Sequence, residues 1–86
     1  MEKSLLSILK AEDELVEKIH STKRDADYAL RWRDIVATYP DCSAKVADIA
    51  RYDSEIAAYH REAEECRKQL DAVRDDLRAY LSELFK

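Results

Sequence analysis

The chain has no glycine and only one proline, Pro40. Average usage would put about six glycines in a chain of this length. Phosphate-cradling loops, tight hairpin turns and dinucleotide fingerprints all depend on glycine, so its absence argues against the enzyme classes built on them. Long hydrophobic runs are also missing. No stretch approaches the roughly 20 apolar residues of a membrane span, and no apolar segment resembles a signal peptide, so the cytoplasm is the expected location. Neither sign of charge dominates: 15 bases are interleaved with 19 acids, for a net charge of -4. Such a mixture supports solubility and gives no field for a polyanion, which disfavours nucleic acid as a partner. The same absences predict no membrane partner.

Ligand and nucleophile patterns are sparse. No His-x3-His or Cys-x2-Cys spacing occurs. His60 and Glu64 have helical ligand spacing but would need donors from another chain to hold a metal. Asp75–Asp76 and Glu64–Glu65 are sequence neighbours that diverge on a helix, which suits a solvated face better than an acid–base dyad. Lys23–Arg24 and Arg31-x-Arg33 are basic but form no stripe. The two cysteines, Cys42 and Cys66, would be about 35 Å apart on one straight helix, too far for a disulfide. Cys66 reads as a small buried hydrophobe and Cys42 as a residue near a turn, with no adjacent base to activate it. We expect no enzyme, no cofactor and no metal.

What the chain does contain is a double apolar seam. Ile49, Ile56, Ala63, Leu70, Leu77 and Leu84 recur every seventh residue, and Tyr52, Tyr59, Cys66, Val73 and Tyr80 fill the alternate positions. All eleven core slots of a coiled-coil heptad are occupied by apolar or aromatic side chains. Such a pattern asks for a second helix alongside at a shallow angle. Pro40 biases Tyr39 away from helical geometry and ends whatever helix precedes it. The organisation expected is a single domain over residues 1–86, with helix one over about 4–38, a turn at 39–42 and helix two over about 43–85. Ser4 is the expected cap of helix one, although Glu2 and Lys3 could extend it backward, and Asp41 or Ser43 can cap helix two. A connection this short places long helices side by side and antiparallel.

A register centred on the turn offers an internal check. It sets Ala29 against Tyr52, Thr22 against Tyr59, Leu15 against Cys66, Ile8 against Val73, Ala26 against Ile56 and Ile19 against Ala63. Small residues repeatedly oppose large ones, as interdigitated packing requires. Edge charges decide less: Lys18 meets Glu62 favourably, but Asp25 meets Glu55 unfavourably. A parallel homodimer through helix two is the competing arrangement, with Glu55 beside His60, Glu62 beside Arg67 and Gln69 beside Arg74 of its mate. It would leave helix one without cover. The predicted fold is all-α, a two-helix antiparallel coiled-coil hairpin that forms a four-helix bundle as a dimer.

Three surfaces are candidates for function. Tyr28, Trp32, Ile35 and Tyr39 share one face of helix one, displaced from the column that meets helix two. They could fold over the edge of helix two or anchor a second chain, a task for which Trp and Tyr are suited. Ala47, Ala50, Ser54 and Ala57, with Ala58, form a small-residue strip on helix two that would let another backbone approach, or would simply serve helix propensity. Leu5, Leu6 and Leu9 gather with Leu81, Leu84 and Phe85 at the open end, as a self-capping cluster or a docking patch. The stripe of one copy packing on the strip of another would give a two-fold four-helix bundle.

Residues 11–27, from Ala11-Glu12-x-Glu14 through Ile19 to Lys23-Arg24-Asp25-Ala26-Asp27, resemble the N-terminal repeat of rotary-ATPase peripheral-stalk coiled coils. Leu15 and Val16 depart from that family's Ala-Glu run, and the proline turn departs from its single long helix. The likeness is one of composition and brings no function with it. The function expected is a non-enzymatic helical interaction module, an adaptor or an assembly or co-chaperone-like scaffold, with itself and a further protein as partners. The alternative is a small inhibitor or regulator that blocks a larger enzyme or complex.

Overall fold

The computed structural model describes residues 4–85. It consists of two long helices, α1 (Leu5–Ala37, 33 residues) and α2 (Ser43–Leu84, 42 residues), joined by a short turn in a hairpin-like arrangement, with no strand among the described residues. Ser4 caps α1: its backbone is extended and its hydroxyl accepts the Ser7 amide at 3.1 Å. Glu2 and Lys3, the possible backward extension, lie outside the described residues. At the other end the Thr38 hydroxyl donates to the Ile35 carbonyl at 2.6 Å, and the Tyr39 amide donates to Val36 at 3.0 Å. These bonds tighten the last turn and use carbonyls that a helix end leaves unpaired. Pro40 then prevents continuation.

The cap of α2 corrects the sequence expectation. Neither Asp41 nor Ser43 fills it. Cys42 does, with an extended backbone (φ -162°, ψ 167°) and its sulfur accepting the Lys45 amide at 3.4 Å. The proline turn fixes where helical geometry can begin, which makes Ser43 the first helical residue and Cys42 the flanking one, whatever its side chain. Asp41 is one residue too early to cap. Its carboxylate instead accepts the Lys45 ammonium at 2.9 Å, and the same ammonium donates to the Tyr39 carbonyl at 2.9 Å. Lys45 thus ties both ends of the connection together.

Ion pairs cross between the helices. Glu12 meets Arg74 at 3.4 Å, Lys18 meets Glu62 at 3.8 Å as the register anticipated, and Arg33 meets Asp53. As these contacts rise along α1, they fall along α2. Ile8, Thr22, Ala26, Ala29 and Val36 of α1 are buried, as are Cys66 and Leu70 of α2. The other seam residues of α2, from Ile49 to Tyr80, are half-buried, and Leu84 is exposed. The asymmetry follows from size. Thr22, Ala26 and Ala29 are small enough to be covered wholly by one neighbouring helix, while Leu77 and the tyrosines on α2 keep part of their surface in water. No large side chain is fully enclosed among the described residues. The molecule is a rod of 66 × 17 × 14 Å with a radius of gyration of 19.3 Å. A compact chain of this length would have about 12 Å.

Candidate interaction surfaces

The aromatic stripe begins in the third quarter of α1 and runs to the turn. Tyr28 is 61% exposed, Trp32 40%, Ile35 39% and Tyr39 54%. The Tyr28 and Trp32 rings meet edge-to-face with centroids 6.2 Å apart, a preferred aromatic geometry that holds the indole in place. Helical periodicity explains the exposure. The buried residues Ala29 and Val36 define the face turned to α2, and the stripe is centred roughly 80° around the helix from it, with Trp32 the member nearest the face. On α2, Ala47, Ala50, Ser54 and Ala57 are all exposed, on the side facing away from the seam. A hairpin therefore does not cover its own stripe with its own strip.

At the open end Leu6, Leu9, Leu81, Leu84 and Phe85 are exposed and Leu5 is half-buried. α2 is the longer helix, so Leu84, the last seam position, has passed the start of α1. Two further apolar residues are exposed, Leu30 (45%), two helical turns before the end of α1, and Val46 (68%), in the first turn of α2. Neither falls in a heptad column. An apolar residue off both columns was the signal available for them.

The distribution is informative. The exposed large apolar residues fall within 6–9, 28–46 and 81–85, and none falls within 10–27 or 47–80. Both ends of the rod are sticky and its middle is charged. In the middle, ion pairs such as Arg24–Glu17 (3.7 Å), Arg67–Glu64 (2.6 Å) and Arg78–Asp75 (2.7 Å) lie along single helices in water. The hydrogen bond from Arg67 to Glu64 pushes the guanidinium pKa up further, with the Glu64 charge acting in the same direction. Arg51 sits over the Tyr52 ring at 5.0 Å, a cation–π contact that shields one half-buried seam tyrosine.

A shallow open depression on α1, lined by Asp13, Glu17, Lys18 and Arg24, is solvated side-chain surface. Among the described residues no group of three His, Cys, Asp or Glu side chains converges on a point where a metal could sit. Cys66 is buried and Cys42 is exposed. No helix among the described residues is long and apolar enough to cross a membrane. Comparisons with protein-family models, curated proteins and solved structures give no match to this chain.

Proposed function

We propose that this chain is a non-enzymatic helical interaction module. It is an antiparallel coiled-coil hairpin that pairs with a second copy through its turn end and presents the remaining helical faces to another protein. The observation that carries the reading is the exposed stripe of Tyr28, Trp32, Ile35 and Tyr39, braced by the Tyr28–Trp32 ring contact beside a seam already occupied by α2. Rigid aromatic anchors of this kind are what helix-packing interfaces use.

Area supports the same reading. The chain has 6692 Å² of accessible surface, whereas a compact monomer of its mass would have about 5,200 Å². The difference of roughly 1,500 Å² per chain exceeds the approximately 800 Å² per partner of a standard interface and falls in the range of obligate homodimers. In the dimer we propose, the stripe of one hairpin lies on the Ala47, Ala50, Ser54 and Ala57 strip of the other, giving a two-fold four-helix bundle. The adaptor or scaffold role rests on what such a bundle leaves outside, including the open-end patch.

Light scattering across a concentration range tests this directly. A species of twice the 10.0 kDa chain mass that Trp32→Ala converts to monomer, with helix content kept, is the expected result. A persistent monomer would remove the self-pairing. It would leave the stripe open to a different protein, as a small inhibitor or regulator would use it.

A further inference from the structure

The aromatic stripe ends in a charge. Asp25, Tyr28, Trp32, Ile35 and Tyr39 step along the chain by three and four residues in turn, so Asp25 shares the face of the aromatics, with Tyr39 just past the end of α1. The small-residue strip ends in a charge of the other sign. Ala47, Ala50, Ser54 and Ala57 step along α2 by three, four and three, and the next member of that face is Arg61. Asp25 and Arg61 are both exposed, and among the described residues neither makes an ion pair within the hairpin. Asp25 is also poorly matched inside its own chain. The register that joins Lys18 to Glu62 sets Asp25 beside Glu55 one heptad nearer the turn, an acid facing an acid.

We infer that Arg61 of a second copy supplies the base that Asp25 lacks, and that this contact places the two hairpins side by side with their turns at the same end. The inference rests on the stripe-on-strip dimer proposed above and gives it a register. With the turns together, α1 of one copy runs antiparallel to α2 of the other, and the two ladders match rung for rung. Tyr39 meets Ala47, Ile35 meets Ala50, Trp32 meets Ser54, Tyr28 meets Ala57, and Asp25 meets Arg61 of the second copy. A large side chain opposes a small one at every rung before the charges, as interdigitated packing requires. Two-fold symmetry repeats the ion pair on the other side of the bundle. Two turns further along, Lys18 would come level with Lys68 of the second copy, which confines the contact to the turn end. Turned end for end, the apolar rungs still set large against small, with Tyr28 over Ala47 and Tyr39 over Ala57. Asp25 then lies beyond the strip, at the start of α2 and out of reach of Arg61. The apolar rungs therefore hold the copies together, and the ion pair selects between the two orientations, the task that charges flanking a helical interface perform.

The test is the dimer dissociation constant, from sedimentation equilibrium, of the wild-type protein, Asp25→Arg, Arg61→Asp and the double variant. Each single change turns both contacts between copies from attraction to repulsion. It should raise the dissociation constant about tenfold at low salt, and much less at 1 M salt, where the screening length is about 3 Å. Asp25→Arg also relieves the confrontation with Glu55, so the hairpin itself should lose no helix content. The double variant should return to the wild-type constant. An equimolar mixture of the two single variants should do so too, because each chain then brings the charge the other lacks, a rescue that a misfolded variant could not give. Nitroxides on Ser82→Cys, in a Cys42→Ser, Cys66→Ala background, read the orientation. With the turns together the open ends lie side by side, and the labels are a few interhelical spacings of about 10 Å apart. End for end, they are farther apart than the 66 Å length of one rod. A wild-type dimer that ignores both single changes, or whose labels lie end for end, overturns this inference and leaves the dimer standing. A wild-type monomer overturns the dimer and this contact with it.

Discussion

At the scale of single residues, the informative positions are those where a side chain does a job its type is poorly suited to. Cys42 caps α2 through a 3.4 Å contact from the Lys45 amide to sulfur, and sulfur is a weak acceptor. Cys42→Ser places a stronger acceptor at the same extended backbone position. It should raise stability by about 0.5–1 kcal/mol, seen as a higher thermal midpoint. Leu70 is at the other extreme. At 5% exposure it is the most deeply buried leucine of the thin core, and Leu70→Ala should cost about 2–4 kcal/mol by urea unfolding. Leu70 was legible in the sequence because its slot and its type agree. Cys42 was not, since the usual preference for Asp or Ser pointed one residue to either side, and the cap was decided by where Pro40 released the chain. Glu12 and Arg33 escaped for a related reason. A charged residue among apolar ones at seven-residue spacing carries no burial signal of its own, and only the cross-helix pairs with Arg74 and Asp53 reveal that these charges face α2.

At the scale of elements, the two helices and their boundaries could be read almost to the residue. Proline ends α1, Ser4 starts it, and a seam of period seven carries α2 without interruption to Leu84. Burial could not be read in the same way. Eleven filled slots suggested a buried seam, yet one neighbouring helix covers only part of each large side chain, so most of the seam stays half-buried. The connection depends on Lys45, whose ammonium holds both the Tyr39 carbonyl and Asp41 and whose side chain is only 16% exposed. Lys45→Met keeps the apolar stem and deletes the charge. It should cost about 1 kcal/mol, the ordinary loss for charge-assisted bonds in partly exposed surroundings. It should also speed amide exchange at Tyr39 while leaving exchange at the centre of α2 unchanged. Equal protection at Tyr39 in both proteins would show that Pro40 and the Thr38 bonds hold the turn without Lys45.

At the scale of the whole molecule, the proposed dimer raises the question of which apolar end of the rod would meet a second copy. The aromatic stripe, the small-residue strip and the open-end patch were all visible as patterns in the sequence. The structure adds that the stripe, the strip and most of the patch are exposed, and that a charged middle separates the turn end from the open end. If folding and association are linked, a tenfold rise in concentration adds about 1.4 kcal/mol to stability. For a pair of 86-residue chains this shifts the thermal midpoint by roughly 3–6 °C. We expect that slope in the wild-type protein. Trp32→Ala should flatten it, because it removes the anchor of the turn-end contact. Leu6→Ser with Phe85→Ser should leave it intact, because those residues lie at the opposite end of the 66 Å rod. If the reverse pattern is found, the open ends join the two copies and the aromatic stripe is the surface left for another protein. The charged middle makes this distinction sharp, since interleaved acids and bases contribute little to association and a contact must be anchored at one end or the other.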